Sequence, residues 1–368
     1  MLFPTRDESK RGHTRLPRFG DSPASERTLH GSQTLLERSE DSGRTGAALH
    51  VEHGLLERIT GRPSTLQNAL AHGVQTWTTV HASLRAAVEA DPNITLRQHT
   101  TVESVGQDDV CAWATTSDGQ TFRGDILIGA DRHRSVVRRG VSPGKPDASF
   151  AGYVTGLASP PKLQSRRVGP GLMTSAANDY LLGYQLPGDD GSTRHGSRQL
   201  GWAWYDSSRN ELLRDKGCVV GTVVRHSLRS IDIPDQTFRE LADEARERWP
   251  APWLDAILDC VARRAVIGTP IAEYVPERLA NGRIALVGDA AHVPTPMTGN
   301  GFSASLNDAE ALAQSVTGGV CGLRASQALR RYEAIRLNSA RSLVRSGQQF
   351  SRAFAARDDR NMAQVLSR

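Results

Sequence analysis

The alternation of hydrophobic and polar residues changes along this chain and predicts its elements. Residues 1 to about 34 show no apolar recurrence at a period of two or of three and a half, which predicts a disordered segment. Residues 80–88 have helical spacing, and the alternation that follows predicts antiparallel strands joined by a hairpin at Asp118-Gly119. The short apolar run at 126–128 predicts a buried strand that leads into a Gly-Ala-Asp sequence.

A second pattern covers residues 150–262, which hold most of the aromatic side chains. The segments YLLGYQLP and RQLGWAWYD alternate between apolar and polar positions, so we expect an antiparallel sheet, followed by helices at 238–248 and 253–261. After Arg283 the first pattern returns, with a buried strand in RIALVGDAAH and a helix in GFSASLNDAEALAQSV. The last forty residues are predicted to be helical, without a glycine or proline until Gly347.

This order predicts an α/β protein in which an aromatic antiparallel unit interrupts a first unit that is completed afterwards. Such an insertion places a cleft between two units, which is a common position for a ligand. The predicted division of the chain is 1–34 atypical, 35–149 and 263–322 as the discontinuous first unit, 150–262 as the inserted unit, and 323–368 as C-terminal helices.

Composition narrows the class of protein. No stretch approaches the roughly 18 consecutive apolar residues of a membrane helix, and the four cysteines stand far apart without a Cys-x-x-Cys pair. We therefore expect a cytoplasmic protein with no membrane contact and no metal site. The net charge is +5, but arginines are scattered along the chain instead of clustered, so we expect no nucleic-acid partner.

The strongest chemical pattern lies at residues 282–313. A buried strand delivers Gly288 and Asp289 to a turn, where the carboxylate of Asp289 can accept hydrogen bonds from sugar hydroxyls. Gly299 and Gly301 allow the backbone to approach a ligand closely, ahead of a helix whose N-terminal amides favour an anion. The alternative is an ordinary connection between strand and helix whose glycines serve only turns.

This string resembles the FAD-dependent aromatic hydroxylases, the single-component flavoprotein monooxygenases typified by para-hydroxybenzoate hydroxylase. The resemblance implies an FAD-binding, Rossmann-like domain of the glutathione reductase type for the first unit and a substrate domain for the inserted sheet. It also implies that the Gly-Asp turn contacts the flavin ribityl chain and that the following loop lies beside the flavin ring. The residues so assigned are Gly288, Asp289, Pro296, Gly299, Asn300 and Gly301.

Residues 129–139, GADRHRSVVRR, resemble the second Asp motif of that family, which is associated with both FAD and NAD(P)H. The resemblance makes Asp131 a cofactor-binding residue. Arg132 stands where the family has glycine, and an arginine resists the positive φ that glycine permits. The alternative is an aspartate that caps a helix and is surrounded by basic surface residues.

The segment LLERSEDSGRTGAAL resembles the strand-end acid and arginine of the family, so Glu37 is expected to bind the adenosine ribose and Arg44 the pyrophosphate. The family's Gly-x-Gly-x-x-Gly motif is not found between Met1 and Leu35. We hypothesise that the sequence joins the family's reading frame at about Gln33. A non-catalytic or FAD-deficient remnant of such an enzyme is therefore the alternative to an active enzyme.

The aromatic strands resemble those of 2,6-dihydroxypyridine 3-hydroxylase and its relatives, a branch of the same family. The resemblance implies hydroxylation of a small phenolic or N-heteroaromatic ring with NAD(P)H and O2, by a possible homodimer. Tyr184, His195 and Tyr205 are the candidates for contacting the substrate hydroxyl. A halogenase signature is not present, because Tyr205-Asp206 follows the Trp-x-Trp sequence, and no nucleophile turn of a Ser-His-Asp hydrolase is found.

Overall fold

The fold is given by a computed structural model. It describes residues 48–49, 75–158, 172–176, 179–188, 192, 194 and 197–366. The predictions for residues 1–34, Glu37, Arg44 and His195 therefore lie outside the described residues.

The strands and helices follow one another in the predicted order. The strands are β1 (Ala48–Leu49), β2 (Gln75–Thr76), β3 (Val102–Gln107), β4 (Ala112–Thr116), β5 (Thr121–Gly124), β6 (Leu127–Gly129), β7 (Ser149–Ala158), β8 (Leu172–Ala176), β9 (Asp179–Leu186), β10 (Gln199–Asp206), β11 (Val219–Val220), β12 (Val223–Val224), β13 (Val266–Glu273), β14 (Ala280–Asn281) and β15 (Ile284–Leu286). The helices are α1 (Trp77–Ala90), α2 (Val137–Val141), α3 (Asn210–Asp215), α4 (Asp235–Arg248), α5 (Trp253–Ala262), α6 (Gly301–Val316) and α7 (Arg324–Leu366).

The inserted unit is built on a seven-stranded antiparallel sheet with the order β11-β12-β7-β10-β9-β8, in which β13 also pairs with β7. Because side chains alternate along a strand, Trp202 and Trp204 of β10 face one side and Tyr205 faces the other. The two tryptophans are buried in the core with residues of α4 and α5, and Trp204 packs edge-to-face on Trp249 at 5.6 Å. By strand pairing, this sheet extends past the predicted end of the unit at residue 262 to include β13.

The first unit contains a short parallel pairing between β6 and β15, with Leu127 opposite Ile284 and Gly129 opposite Leu286. The carboxyl ends of parallel strands lie at the same edge of a sheet, so the Gly-Ala-Asp and Gly-Asp sequences meet there. Apolar side chains of α2, α6 and α7 cover these strands, and Tyr332 of α7 donates a hydrogen bond to the carbonyl of Leu286 at 2.7 Å. No helix in the described part of the chain is both long and apolar enough to cross a membrane.

Most of the predicted elements are confirmed, with shifted ends. The hairpin at Asp118-Gly119 joins β4 and β5, and the strand predicted at 126–128 lies one residue later. The C-terminal helix runs through Gly347 without a break. A Cβ atom at Gly347 would lie 2.6 Å from Cγ2 of Thr295, so this glycine permits a close approach between α7 and the loop ahead of α6.

Candidate functional site

The Gly-Asp turn follows β15 directly. Gly288 has φ of 58°, a left-handed conformation that favours glycine, and a Cβ atom there would lie 3.0 Å from Oγ of Ser305. Its N–H donates to Oδ2 of Asp308 at 2.9 Å. The turn is therefore fixed both by its backbone conformation and by a buried carboxylate of the next helix.

Asp308 is the centre of a buried polar cluster behind this turn. It also accepts hydrogen bonds from Nε2 of His292 at 2.7 Å and Nε of Arg336 at 2.8 Å. Burial alone would raise the pKa of Asp308, but these two partners and the N–H of Gly288 outweigh it, and the pKa is lowered. Asp308 is thus held as a carboxylate that ties α6 and α7 to the turn.

The carboxylate of Asp289, unlike that of Asp308, does not take part in this buried cluster. It is exposed, and no donor among the described residues forms a hydrogen bond with its carboxylate. Desolvation by the surrounding protein raises the pKa of Asp289, and the charges of His292, Arg138 and Arg132 act in the opposite direction. The carboxylate is thus available to a hydrogen-bond donor from a bound ligand.

The loop that follows prepares the start of α6. A 3₁₀ helix spans Pro296–Thr298, Gly299 has φ of 65°, and α6 begins at Gly301. Pro296, Gly299 and Asn300 are exposed, and the side chain of Asn300 makes no capping hydrogen bond. The first amides of α6 therefore lack a side-chain acceptor from this cap position, which leaves the positive end of the helix dipole open to a ligand.

The second motif lies beside the first, and Asp131 adopts the capping role that was the alternative interpretation. Its carboxylate accepts from Oγ of Ser135 at 2.6 Å and from the N–H groups of Val136 at 2.7 Å and Val137 at 3.2 Å. Arg132 has φ of 67°, so the backbone keeps the conformation expected of the family's glycine although the side chain is arginine.

Arg138 joins the two motifs, a role that sequence reasoning missed. The side chain is fully buried and stacks on Tyr274 at 4.0 Å. Its guanidinium donates to the carbonyls of His133, Pro146, Asp289 and Ala290, at 2.8, 3.2, 2.8 and 2.8 Å respectively. The only sequence signal was its match to the arginine of the second motif.

A buried chain of hydroxyl groups holds the loop from the side of the inserted sheet. The hydroxyl of Tyr153 lies 2.5 Å from Oγ1 of Thr295 and 3.2 Å from Oγ of Ser351, which donates to Glu273 at 2.5 Å. Burial raises the pKa of Tyr153 and of Glu273. Strands β7 and β13, helix α7 and the loop ahead of α6 thus meet at one buried network.

The aromatic face of the sheet adjoins this loop. Met297 packs against an apolar cluster that includes Tyr205. Tyr184 and Tyr205 are 5% and 3% exposed, and burial raises the pKa of both. Tyr184 lies opposite Gly201 in the strand pairing, so Tyr184 and Tyr205 share one face of the sheet, and Trp202 and Trp204 lie on the other. A small apolar cavity lies on the tryptophan face, lined by Trp202, Trp204 and side chains of α3 to α5.

Comparisons of this chain with known proteins identify families and enzymes that are similar to it. Residues 232–347 match the FAD binding domain family. The chain is 27% identical over 240 residues to 2,6-dihydroxypyridine 3-monooxygenase of Paenarthrobacter nicotinovorans, a match that covers 60% of this chain and 56% of that enzyme. It is 24% identical over 287 residues to 3-hydroxybenzoate 6-hydroxylase of Klebsiella oxytoca, covering 75% of this chain and 62% of that enzyme.

The solved structure of 2,6-dihydroxypyridine-3-hydroxylase from Arthrobacter nicotinovorans has the same fold. It superposes with a TM-score of 0.57 at 22% identity, over 70% of this chain and 64% of that chain. These three matches each cover less than two thirds of the relative's length. Together the comparisons confirm the resemblance inferred from the motifs and the predicted fold class.

Proposed function

We propose that this chain, a relative of the FAD-dependent aromatic hydroxylases, is a flavin-dependent monooxygenase that hydroxylates a small phenolic or N-heteroaromatic ring with NAD(P)H and O2. The observation that carries the proposal is the adjacency of two surfaces. The loop after Asp289 is exposed at Pro296, Gly299 and Asn300, and Met297 of the same loop packs on the aromatic cluster that contains Tyr205. A ring substrate and a flavin bound to these surfaces would be neighbours.

The residues of the Gly-Asp turn and of the loop that follows it fit a flavin dinucleotide. The carboxylate of Asp289 is accessible and lacks a donor among the described residues, as a group that accepts polyol hydroxyls requires. Gly299 has open space around the position of a Cβ atom, and the amides at the start of α6 have no side-chain cap from Asn300. When bound, FAD supplies the electron transfer and the oxygen activation that side chains cannot provide.

Each candidate residue then has a defined task. Gly288 and Asp289 hold the ribityl chain, and the loop residues Pro296, Gly299, Asn300 and Gly301 line the flavin ring. Asp131 has its carboxylate engaged by three internal donors, so we assign it the positioning of the second motif. Glu37 and Arg44 take the adenosine ribose and the pyrophosphate.

The substrate contacts are assigned to Tyr184, His195 and Tyr205. The two tyrosines are buried and their raised pKa keeps them protonated at neutral pH, so each can donate a hydrogen bond to a phenolate or ring oxygen. A water-poor aromatic surface of this kind also suits a flat ring. The relatives named above act on a dihydroxypyridine and a hydroxybenzoate, which supports this substrate class.

The remaining predictions complete the proposal. We assign residues 35–149 and 263–322 to FAD binding and 150–262 to the substrate domain. Strand β13, within the second FAD-binding segment, pairs with β7 of the substrate domain. A cytoplasmic location suits a protein that consumes NAD(P)H.

The test is NAD(P)H oxidation by the purified chain with added FAD, screened over hydroxypyridines, hydroxybenzoates and phenols. We expect one class of ring to stimulate oxidation and to yield a hydroxylated product, with NADH and NADPH assayed separately. A catalase control measures peroxide, because oxidation that yields only peroxide would show uncoupled turnover. No stimulation by any ring compound would contradict the proposal.

A further inference from the structure

The face of the inserted sheet that carries Tyr184 and Tyr205, the tyrosine face, has a buried part and an accessible part. Tyr153, Tyr205 and Phe354 are at most 3% exposed, and the ring centroid of Tyr153 lies 6.3 Å from that of Tyr205 and 5.1 Å from that of Phe354. The ring of Tyr184 covers Gly201 so closely that a Cβ atom there would overlap it. A ligand therefore meets the accessible residues of this face first.

The accessible part consists of partly buried residues that pack against the buried rings. Two of them are aromatic, and the ring centroids of Tyr180 and Phe350 lie 5.4 Å apart at an interplanar angle of 53°. Strand pairing places Tyr180 directly opposite Tyr205, so this pair continues the buried aromatic cluster outward. The partly buried residues of this face are Ala151, Tyr180, Leu182, Met297 and Phe350.

Helix α7 brings Phe350 beside the loop ahead of α6. A Cβ atom at Gly347 would lie 2.6 Å from Cγ2 of Thr295 and 3.1 Å from Cγ2 of Thr298, so the helix touches the loop on both sides of Met297. Phe350 follows Gly347 by three residues and therefore lies on the same side of the helix. The accessible aromatic surface is thus bounded by α7 and by the loop assigned to the flavin.

We infer that the ring of the substrate packs on Tyr180 and Phe350, and that Phe350 limits the size of the ring that fits. The inference rests on the proposed function for the class of ligand, and it adds a wall from the C-terminal helix to the contacts of the sheet. Aromatic side chains gain free energy from edge-to-face and offset contacts with a flat ring. The thioether of Met297 at the border makes a further favourable contact with such a ring.

The experiment is a calorimetric titration of the full chain with ring compounds, without NAD(P)H and both with and without added FAD. The single-ring probes are phenol, 2,6-dihydroxypyridine and 3-hydroxybenzoate, and the two-ring probe is 2-naphthol. We expect Phe350→Ala to weaken the single-ring probe that binds best by about threefold to tenfold, the loss typical of one aromatic contact. The affinity for 2-naphthol should stay unchanged or rise, because the smaller side chain makes room for a second ring.

Two further variants separate ring binding from folding. Phe350→Leu keeps an apolar side chain on α7 and should recover only part of the single-ring affinity, with an unfolding midpoint close to that of the unaltered chain. Phe150→Ala is the matched control, because Phe150 is a partly buried aromatic residue of the same sheet that packs against the cluster on the tryptophan face. It should leave the affinity for every probe unchanged.

Four results would each overturn the inference. They are unchanged single-ring affinity in Phe350→Ala, an equal loss for 2-naphthol, the same loss in Phe150→Ala, and no binding of any probe by the unaltered chain. If ring binding depends on Phe350 but no ring compound stimulates NAD(P)H oxidation, the inference stands and the proposed function fails. If rings stimulate oxidation while Phe350→Ala keeps the affinity and KM of the unaltered chain, the proposed function stands and the inference fails.

Discussion

The guanidinium of Arg138 donates a hydrogen bond from Nη2 to the backbone carbonyl of Asp289 over 2.8 Å. A second bond from Nε reaches the carbonyl of Ala290, also at 2.8 Å. One buried side chain from the second motif thereby fixes the backbone of the Gly-Asp turn, which is far away in sequence. The relative position of the two motifs therefore depends on Arg138. The placement of the accessible Asp289 carboxylate depends in turn on how the two motifs are positioned.

Arg138→Lys should therefore be strongly destabilising. Lysine has three donors on one nitrogen and cannot reach four separate carbonyls, so buried acceptors lose their partners at a cost of about 2–4 kcal/mol in the free energy of unfolding. Urea denaturation measures the change. Arg139→Lys, at the exposed neighbouring position, is the control, and equal stability of the two variants would show that the bonds of Arg138 are not needed.

A pH effect is predicted at Asp179, which is buried at the start of β9. Burial and the charge of Asp206 raise the pKa of Asp179 to about 7, against the opposing effects of Arg248 and Trp204. Because the folded pKa lies above the unfolded one, this group's contribution to stability is fully present below pH about 4 and is lost as the pH rises to about 7.

The free energy of unfolding should accordingly fall between pH 5 and pH 8. The titration of Asp179 should account for about 1 kcal/mol or more of that decrease. Asp179→Asn should remove that part of the dependence, so the difference between the two proteins isolates Asp179 from other titrating groups. Urea unfolding at pH 5, 6, 7 and 8 measures it. Parallel stability curves for the two proteins would refute the assignment.

Gly347→Ala tests the contact between α7 and the loop ahead of α6. Alanine is normally favoured over glycine in a helix by about 1 kcal/mol, but here its Cβ would clash with Thr295. We expect a net loss of stability of about 1–3 kcal/mol, typical of overpacking. Ser346→Ala, at the adjacent exposed position, should be nearly neutral, and a stabilised Gly347→Ala variant would contradict the close approach.

The sequence predicted the elements that have a regular pattern. The alternation of apolar and polar residues identified β9 and β10. The continuous apolar run ending in Gly-Asp identified β15, whose residues are all buried. The candidate turn at Asp289 could be predicted for the same reason, since a strand end and a following helix fix its place.

Long-range contacts could not be predicted in this way. The four carbonyl partners of Arg138 are backbone atoms, which leave no trace in the sequence. Gly347 appeared as a possible end of the helix, but its absent side chain serves a contact with Thr295. The residue after Asp131 was expected to resist a positive φ, and the structure shows that the surrounding hydrogen bonds outweigh the preference of arginine.

Asp289→Ala should weaken FAD binding by about tenfold to a hundredfold, because it removes the carboxylate acceptor of the Gly-Asp turn. Flavin fluorescence titration measures the affinity. The loss should exceed that of Glu37→Ala, since the turn of Asp289 is fixed by Gly288 and Asp308. Asp255→Ala, an exposed acid on α5, is the control, and equal affinities of the Asp289 and Asp255 variants would argue against a flavin at this turn.

The most direct test of the central claim is the fate of oxygen in a single turnover. The purified chain would be loaded with FAD, supplied with NAD(P)H and the ring compound that best stimulates oxidation, and exposed to isotopically labelled O2. Monooxygenation predicts one labelled oxygen atom in the hydroxylated ring and the other in water, as measured by mass spectrometry of the product. A product without label, or label recovered only in peroxide, would contradict the assignment of this chain as an aromatic hydroxylase.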